Sequence, residues 1–269
     1  MTADITRDYQ LAQMLLGADA VPERLESYAT KRLRPTAVVS QYSNIFEFRT
    51  NDFSNDWLDM GNATVTLTIS MVSANANTAV LTKNGAYSAI ERTIVKLGND
   101  KTVYEDNWGP LHRHLKNVMT MSKDYARNYG SSSGYALDTS ILPQITDQPV
   151  IGNENLGAIS RFNIQAVSGS VNAGVRTTTY QIPLKEFSDF YEKCPPTIGI
   201  NHYVSLYPNK SLFAFTCRSS VDGAPPVSPA SPTAYVSEIY MDIPYFNWGP
   251  SNLEIIRPKI KSGLEFIMS

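Results

Sequence analysis

Three histidines and two cysteines are the side chains in this 269-residue chain best suited to acid–base or nucleophilic chemistry, and their spacing organises none of it. His112 and His114 stand two apart in a stretch with helical periodicity. At about 100° per residue they point roughly 200° apart and cannot act on one group. They read as helix-surface residues, with pH sensing as the lesser option. His202 shares an apolar face with Ile198, Ile200, Val204 and Leu206. With no Gly-x-Ser-x-Gly or comparable motif beside it, it is expected to be a hydrogen-bonded core or interface histidine. Cys194 and Cys217 lack Cys-x-x-Cys spacing and are expected to be free, buried thiols of a reducing compartment.

Carboxylates offer little more. Asp52, Asp56 and Asp59 in one loop could give oxygen ligands to calcium. The run lacks the central Gly and terminal Glu of a calcium-binding loop, so a solvated polar loop is expected. No zinc spacing, phosphate-cradling loop or dinucleotide fingerprint occurs. Paired acids for glycoside hydrolysis need two carboxylates singled out by their surroundings, and nothing in the sequence selects two. The expectation is a non-enzyme with no cofactor, no metal and no small-molecule substrate.

A formal net charge of −2 argues against a general nucleic-acid binder, which needs clustered Lys and Arg. Lys31, Arg32 and Arg34 form one local basic cluster. It reads as a solvated face ahead of Pro35, with lipid head groups, nucleic acid or a neighbouring subunit as alternative contacts. No stretch approaches the ~18 apolar residues of a membrane span. Asp4 and Asp8 stand where a secretory signal would carry positive charge, so no signal peptide is expected. Asn62-Ala63-Thr64 and Asn209-Lys210-Ser211 are accordingly expected to be chance matches to the glycosylation pattern.

The elements that would position these groups are mostly strands. Thr64 to Met71 alternates Val, Leu, Ile and Met with Thr and Ser, the pattern of a half-buried sheet strand. Further strands are expected at Val38 to Phe48, Ile90 to Leu97, Val103-Tyr104, Arg161 to Ala166, Thr177 to Leu184, Ile198 to Leu206 and Leu212 to Cys217. Tyr235, Ser237, Ile239, Met241 and Ile243 predict one face of another, and Leu253 to Ile256 with Leu264 to Ile267 predict a β ending. One helix interrupts them between Tyr104 and Met121, with Leu111, Leu115, Val118 and Met119 at helical spacing and Pro110 in its first turn. Tyr125 to Gly157 reads as a long functional or partner-ordered loop. Asp222 to Pro232, with four prolines, reads as a surface excursion.

Residues 1–34 differ. Asp4 can cap a helix carrying Leu11, Leu15 and Leu16 that ends at Gly17, and Pro22 can start a second over Glu23 to Lys31. Such short helices are marginal alone, so this arm must dock on its own domain or on another molecule. The expected organisation is an N-terminal helical arm, 1–34, and one domain, 35–269. That domain is an all-β antiparallel sandwich of jelly-roll type with a short inserted helix, since roughly ten unevenly spaced strands with long connections fit neither a propeller nor an up-and-down barrel.

Several segments carry a more specific resemblance. Asn84-Gly85-Ala86-Tyr87-Ser88-Ala89-Ile90-Glu91-Arg92-Thr93-Ile94-Val95-Lys96-Leu97-Gly98, then Val103-Tyr104-Glu105-Asp106, then Leu111 to Leu115 follow in the order of a small-residue turn, a strand, an acidic-aromatic step and a helix. Tyr180-Gln181-Ile182-Pro183-Leu184 and Cys194-Pro195-Pro196 follow later. Together, over about residues 36–217, they resemble the jelly-roll major capsid proteins of icosahedral DNA viruses, in the double-jelly-roll lineage of adenovirus-like, virophage and polinton-type capsids. About fifty residues remain after Cys217, too few for a second full sandwich, which leaves a single jelly roll with large insertions, two compressed rolls or a piece of a longer chain; the single jelly roll is the favoured expectation. The resemblance implies a virion protein, made in the host cell interior, whose partners are copies of itself and other capsid proteins. It implies an arm that reaches a neighbour, an inner membrane or the genome. Leu11, Leu15, Leu16, Trp57, Trp108 and Trp248 are the candidate interface residues, with packing inside one subunit the equal alternative for each tryptophan. A carbohydrate- or receptor-binding sandwich of fibre or lectin type is the alternative function, and a jelly-roll enzyme the third.

Overall fold

The computed structural model describes residues 25–51, 56–73, 78–81, 84–98, 100–122, 130–135, 174–210, 214–217 and 233–262, with positions 13, 22 and 124. Eleven strands run through them: β1 Ser27–Leu33, β2 Phe46–Arg49, β3 Trp57–Leu58, β4 Thr64–Ser73, β5 Thr78–Leu81, β6 Ile90–Leu97, β7 Lys101–Asp106, β8 Gly174–Pro183, β9 His202–Pro208, β10 Ala214–Cys217 and β11 Thr233–Asn247. Two longer helices join them, α1 Gly109–Thr120 and α2 Pro250–Ser262.

One sheet is ordered β1-β11-β4-β8, with β3 on β11 off that path; the other is ordered β2-β9-β6-β7, and β5 pairs with β10 apart from both. Every pairing is antiparallel. Setting β3 and the β5–β10 pair aside, the chain crosses between the two sheets at β1–β2, β2–β4, β4–β6, β7–β8, β8–β9 and β9–β11. This is a two-sheet jelly roll of eight strands; the class is the one expected from the strand pattern.

The alternation in β4 sets the core. Val65, Leu67, Ile69 and Met71 are all 0–1% exposed and meet Phe46, Phe48, Val95, Val204 and Leu206 of the facing sheet. Thr66, Thr68 and Ser70 point the other way yet are also covered, because β4 is central. Thr68 bonds Thr179 at 3.2 Å and Ser70 bonds Thr177 at 3.3 Å across to β8. In β11 the alternation resets at an irregularity between Val236 and Glu238. There the Ser237 hydroxyl donates to the Thr68 carbonyl at 3.1 Å. Val236 therefore joins Ile239, Met241 and Ile243 inside, while Tyr235 does not share their face as an unbroken period of two predicts.

Three expectations change. The helix expected over Glu23 to Lys31 is instead β1, whose seven residues pair from Ser27↔Asn247 to Leu33↔Met241 along β11. An unpaired β11 edge offers that segment more hydrogen bonds and packing than a short isolated helix could keep. The boundary expected at residue 34 thus falls just after an edge strand of the sandwich. The β ending over Leu253 to Ile256 is part of α2: Pro250 takes the first position, and Leu253 and Ile256 close over Trp57, Phe246 and Trp248. Of the run Val38 to Phe48 only the end from Phe46 is strand, and Val38 is 93% exposed. Arg161 to Ala166, Leu264 to Ile267, Asp222 to Pro232 and most of Tyr125 to Gly157 lie outside the described residues.

Candidate assembly surfaces

Helix α1 starts where β7 ends. The Asp106 carboxylate accepts the Trp108 backbone N–H at 2.9 Å and lies 3.2 Å from His112 Nδ1, so it holds the incoming turn. The helix then packs against the sandwich with its polar side. Arg113 is 2% exposed, donates to the Ile90 carbonyl at 3.2 Å and lies 4.8 Å over the Phe187 ring. Asn117 donates to Asn84 Oδ1 at 3.0 Å, and Asn84 donates to the Pro110 carbonyl at 3.2 Å. Lys116 reaches Asp189 at 2.8 Å and Glu192 at 3.3 Å. Gly109 is required here, because a Cβ on it would sit 2.2 Å from Arg113 Nη2 and 2.7 Å from the Glu91 carbonyl.

This anchoring turns the apolar stripe outward. Trp108 is 75% exposed, Leu111 56%, Leu115 52%, Val118 58% and Met119 82%. Helical spacing identifies the amphipathic helix correctly, but a core-facing helix would bury that stripe. Burial pushes the Arg113 guanidinium down to about 10, and its Nε and Nη1 have no hydrogen-bond partner among the described residues. The sandwich therefore keeps a desolvated cation on the inner side of α1 and leaves five large apolar side chains outside.

The other tryptophans lie inside. Trp57 and Trp248 are 2% and 1% exposed, and with Phe246 they form a ring cluster with centroids 5.0–6.3 Å apart. These two are thus packed within one subunit, and of the three tryptophans Trp108 keeps an outward position. Leu11, Leu15 and Leu16 lie outside the described residues.

A second exposed apolar site lies on the connection between β1 and β2. Val38 and Tyr42 are 93% and 79% exposed. Two surface hollows flank this loop: one of about 450 Å³ beside Tyr42, Phe46 and Val236, the other of about 310 Å³ beside Val38 and Tyr240. Sequence reading missed this site, since Val38 and Val39 imitate the start of a strand. The basic cluster lies alongside, on β1 and just after it, and Arg32 is paired with Asp242 at 2.9 Å.

On the outer sheet faces an arrangement recurs in which an arginine lies over a tyrosine and pairs with an acid, once beside the Val38 hollow and twice on the other sheet. Arg32 lies 3.8 Å over Tyr240 and bonds Asp242; Arg49 lies 5.7 Å over Tyr203 and bonds Glu47; Arg92 lies 5.1 Å over Tyr207 and bonds Glu105. Guanidinium over a ring covers apolar area while leaving a charged exterior.

The groups with chemical potential are internal. His202 is fully buried, with Thr197 Oγ1 2.8 Å from Nε2 and the Tyr191 hydroxyl 3.3 Å from Nδ1, and burial pushes its pKa down to about 4. It is the hydrogen-bonded core histidine its strand position predicts. Cys194 is a buried free thiol whose pKa burial, aided by Asp59, pushes up to about 12. Asp59 is itself buried and accepts from Asn62 at 2.8 Å, so it serves its own turn; Asp52 lies outside the described residues. His112 contacts Asp106 and Asp189 on the surface.

The fold defines the class: an eight-stranded jelly roll, an architecture found in viral capsid proteins, lectin domains and cupins. No family model matches the sequence, and no curated protein matches it. Among solved structures, a chain from the cryo-EM structure of the Sputnik virophage is similar over 86% of this chain and 50% of its own, at a TM-score of 0.57 and 10% identity. The Faustovirus major capsid protein is similar over 91% of this chain and 58% of its own, at a TM-score of 0.47 and 13% identity. The mavirus major capsid protein is similar over 84% of this chain and 47% of its own, at a TM-score of 0.48 and 12% identity. This chain thus spans about half the length of the solved chains it resembles.

Proposed function

We propose that this chain is a structural, non-enzymatic capsid subunit of an icosahedral DNA virus, resident in the virion and assembling with copies of itself and with other capsid proteins. The observation that carries this reading is the full eight-strand order of the jelly roll together with its similarity to a virophage chain over 86% of the length. The segment ahead of β1 keeps the role expected of an arm, contact with a neighbouring copy, an inner membrane or the genome. Sugar recognition is the weaker reading, because it needs aromatic rings open on a flat sheet face; there Tyr203, Tyr207 and Tyr240 are each capped by an arginine, and the exposed rings of Trp108 and Tyr42 stand off the sheets on separate segments. Catalysis is weaker still, since His202 and Cys194 are enclosed.

The test is the assembly state of the purified chain, followed by light scattering on a sizing column and by negative-stain images. Rings, capsomer-sized particles or shells are the expected outcome. A 29.8 kDa monomer at all concentrations, alone and with the other capsid proteins of its virus, would remove the reading.

A further inference from the structure

We infer that the outward face of α1 docks on the β1–β2 connection of a second copy, a head-to-tail contact between opposite flanks of the sandwich. Topology gives the flanks. The strands β1 and β2 are edges of their sheets on one side, and β7 and β8 are the edges on the other. The loop carrying Val38 and Tyr42 joins the first pair. Helix α1 leaves β7 directly and is tied through Lys116–Asp189 and Arg113–Phe187 to residues that follow β8. The main exposed apolar side chains among the described residues therefore collect on two opposite sides, while Tyr203 and Tyr207 on the outer sheet face carry arginines over their rings.

Area supports an occupant of protein size. Trp108 and the four exposed apolar side chains of α1 leave on the order of 500 Å² of mostly apolar surface in water, near the upper end for a monomer and over half of the roughly 800 Å² one partner gives to a standard interface. A convex helical ridge of this kind needs a recess, and the hollows of about 450 and 310 Å³ beside Tyr42 and Val38 supply one with its own apolar projections. Two different patches on opposite flanks make the contact heterologous, so repeating it closes a ring when the rotation permits. The polar inner side of α1 explains why the helix keeps this pose without a partner: Arg113 and Asn117 hold it from beneath.

The contact deepens the capsid-subunit reading and rests on it. Its test is sedimentation velocity of the full chain over a wide concentration range, with two surface variants, Leu115→Asp/Met119→Asp on α1 and Val38→Asp/Tyr42→Asp on the loop. Each is expected to raise the concentration needed for association at least about tenfold with an unchanged circular dichroism spectrum. Mixing a Met119→Cys variant with a Tyr42→Cys variant under mild oxidation is expected to give the crossed dimer. Association of both variants at wild-type concentrations would overturn the contact, pointing to another chain segment or a different partner over α1, while leaving the subunit reading intact. Self-linked Met119→Cys dimers without the crossed product would replace the head-to-tail contact by a helix-on-helix one. A wild-type chain that never associates, alone or with other capsid proteins, sinks both readings together.

Discussion

The Thr197 hydroxyl lies 2.8 Å from Nε2 of His202, and with the Tyr191 hydroxyl on the other ring nitrogen it completes the polar contacts of a fully buried imidazole. A neutral imidazole needs one acceptor and one donor, and two rotating hydroxyls satisfy either tautomer.

That pairing fixes a pH dependence. Burial lowers the His202 pKa from 6.5 to about 4. Between those values the unfolded chain carries the proton and the folded one does not, so stability is full above about pH 6.5 and falls as pH drops toward 4. The loss from pH 7 to pH 5 is expected to be about 2 kcal/mol, from 1.36 kcal/mol per pKa unit. Urea unfolding at both pH values measures it, and a His202→Gln variant should show a slope smaller by that amount. Equal slopes in the two proteins would refute the assignment.

The tryptophans separate stability from assembly. Trp248→Ala empties the centre of the Trp57–Phe246–Trp248 cluster and is expected to cost about 3–5 kcal/mol. Trp248→Phe should cost far less, because the indole N–H is buried with no hydrogen-bond partner among the described residues. Trp108→Ala, at a 75% exposed position, should leave the melting temperature within about a degree or two and weaken association. Thermal melts beside sedimentation runs distinguish the three.

Glycine at two turns gives a graded pair. Gly85 has φ +59°, and a Cβ there would lie 2.5 Å from the backbone of Gly134 and 2.7 Å from the Ser133 carbonyl. Gly98 has φ +54° with nothing within 4 Å. Gly98→Ala is expected to cost about 1 kcal/mol of backbone strain, and Gly85→Ala more than about 3 kcal/mol because the backbone must also move. Similar denaturation midpoints for both variants would contradict this geometry.

Truncation tests where the sandwich begins. A chain starting at residue 35 lacks β1 and bares the backbone of β11 from Met241 to Asn247. It is expected to lose well over ~2 kcal/mol and to aggregate through the open edge. A chain starting at residue 23 keeps all seven pairs. Any defect of the longer deletion in particle formation must therefore be read against its folding, followed by circular dichroism, before it is credited to an arm.

Much of the fold was legible in the sequence because a strict period of two is a local property. Val65, Leu67, Ile69 and Met71 face the core as their alternation requires, and the apolar face of His202, Val204 and Leu206 turns inward with them. Helix α1 was legible too, from Pro110 and its spacing. Its orientation was not. Periodicity shows that a helix has two unlike faces, and it cannot show which one finds partners. Here Arg113 and Asn117 meet Ile90 and Asn84, some 23 and 33 residues away, and the apolar face is left over.

The same reason governs the other corrections. Ser27 to Leu33 carries a weak local preference for helix, and what decides its state is an edge of β11 about 210 residues further on, where Arg32 meets Asp242. Trp57 and Trp248 resemble exposed loop aromatics until the turn into α2 brings Ile256 over them. Local pattern was enough for the all-β class, the inward residues of the long strands and the existence of the inserted helix, since each depends on neighbours a few positions away. Which apolar surface is buried within one copy and which is left outside came from the folded chain alone, because that depends on contacts between segments far apart in sequence.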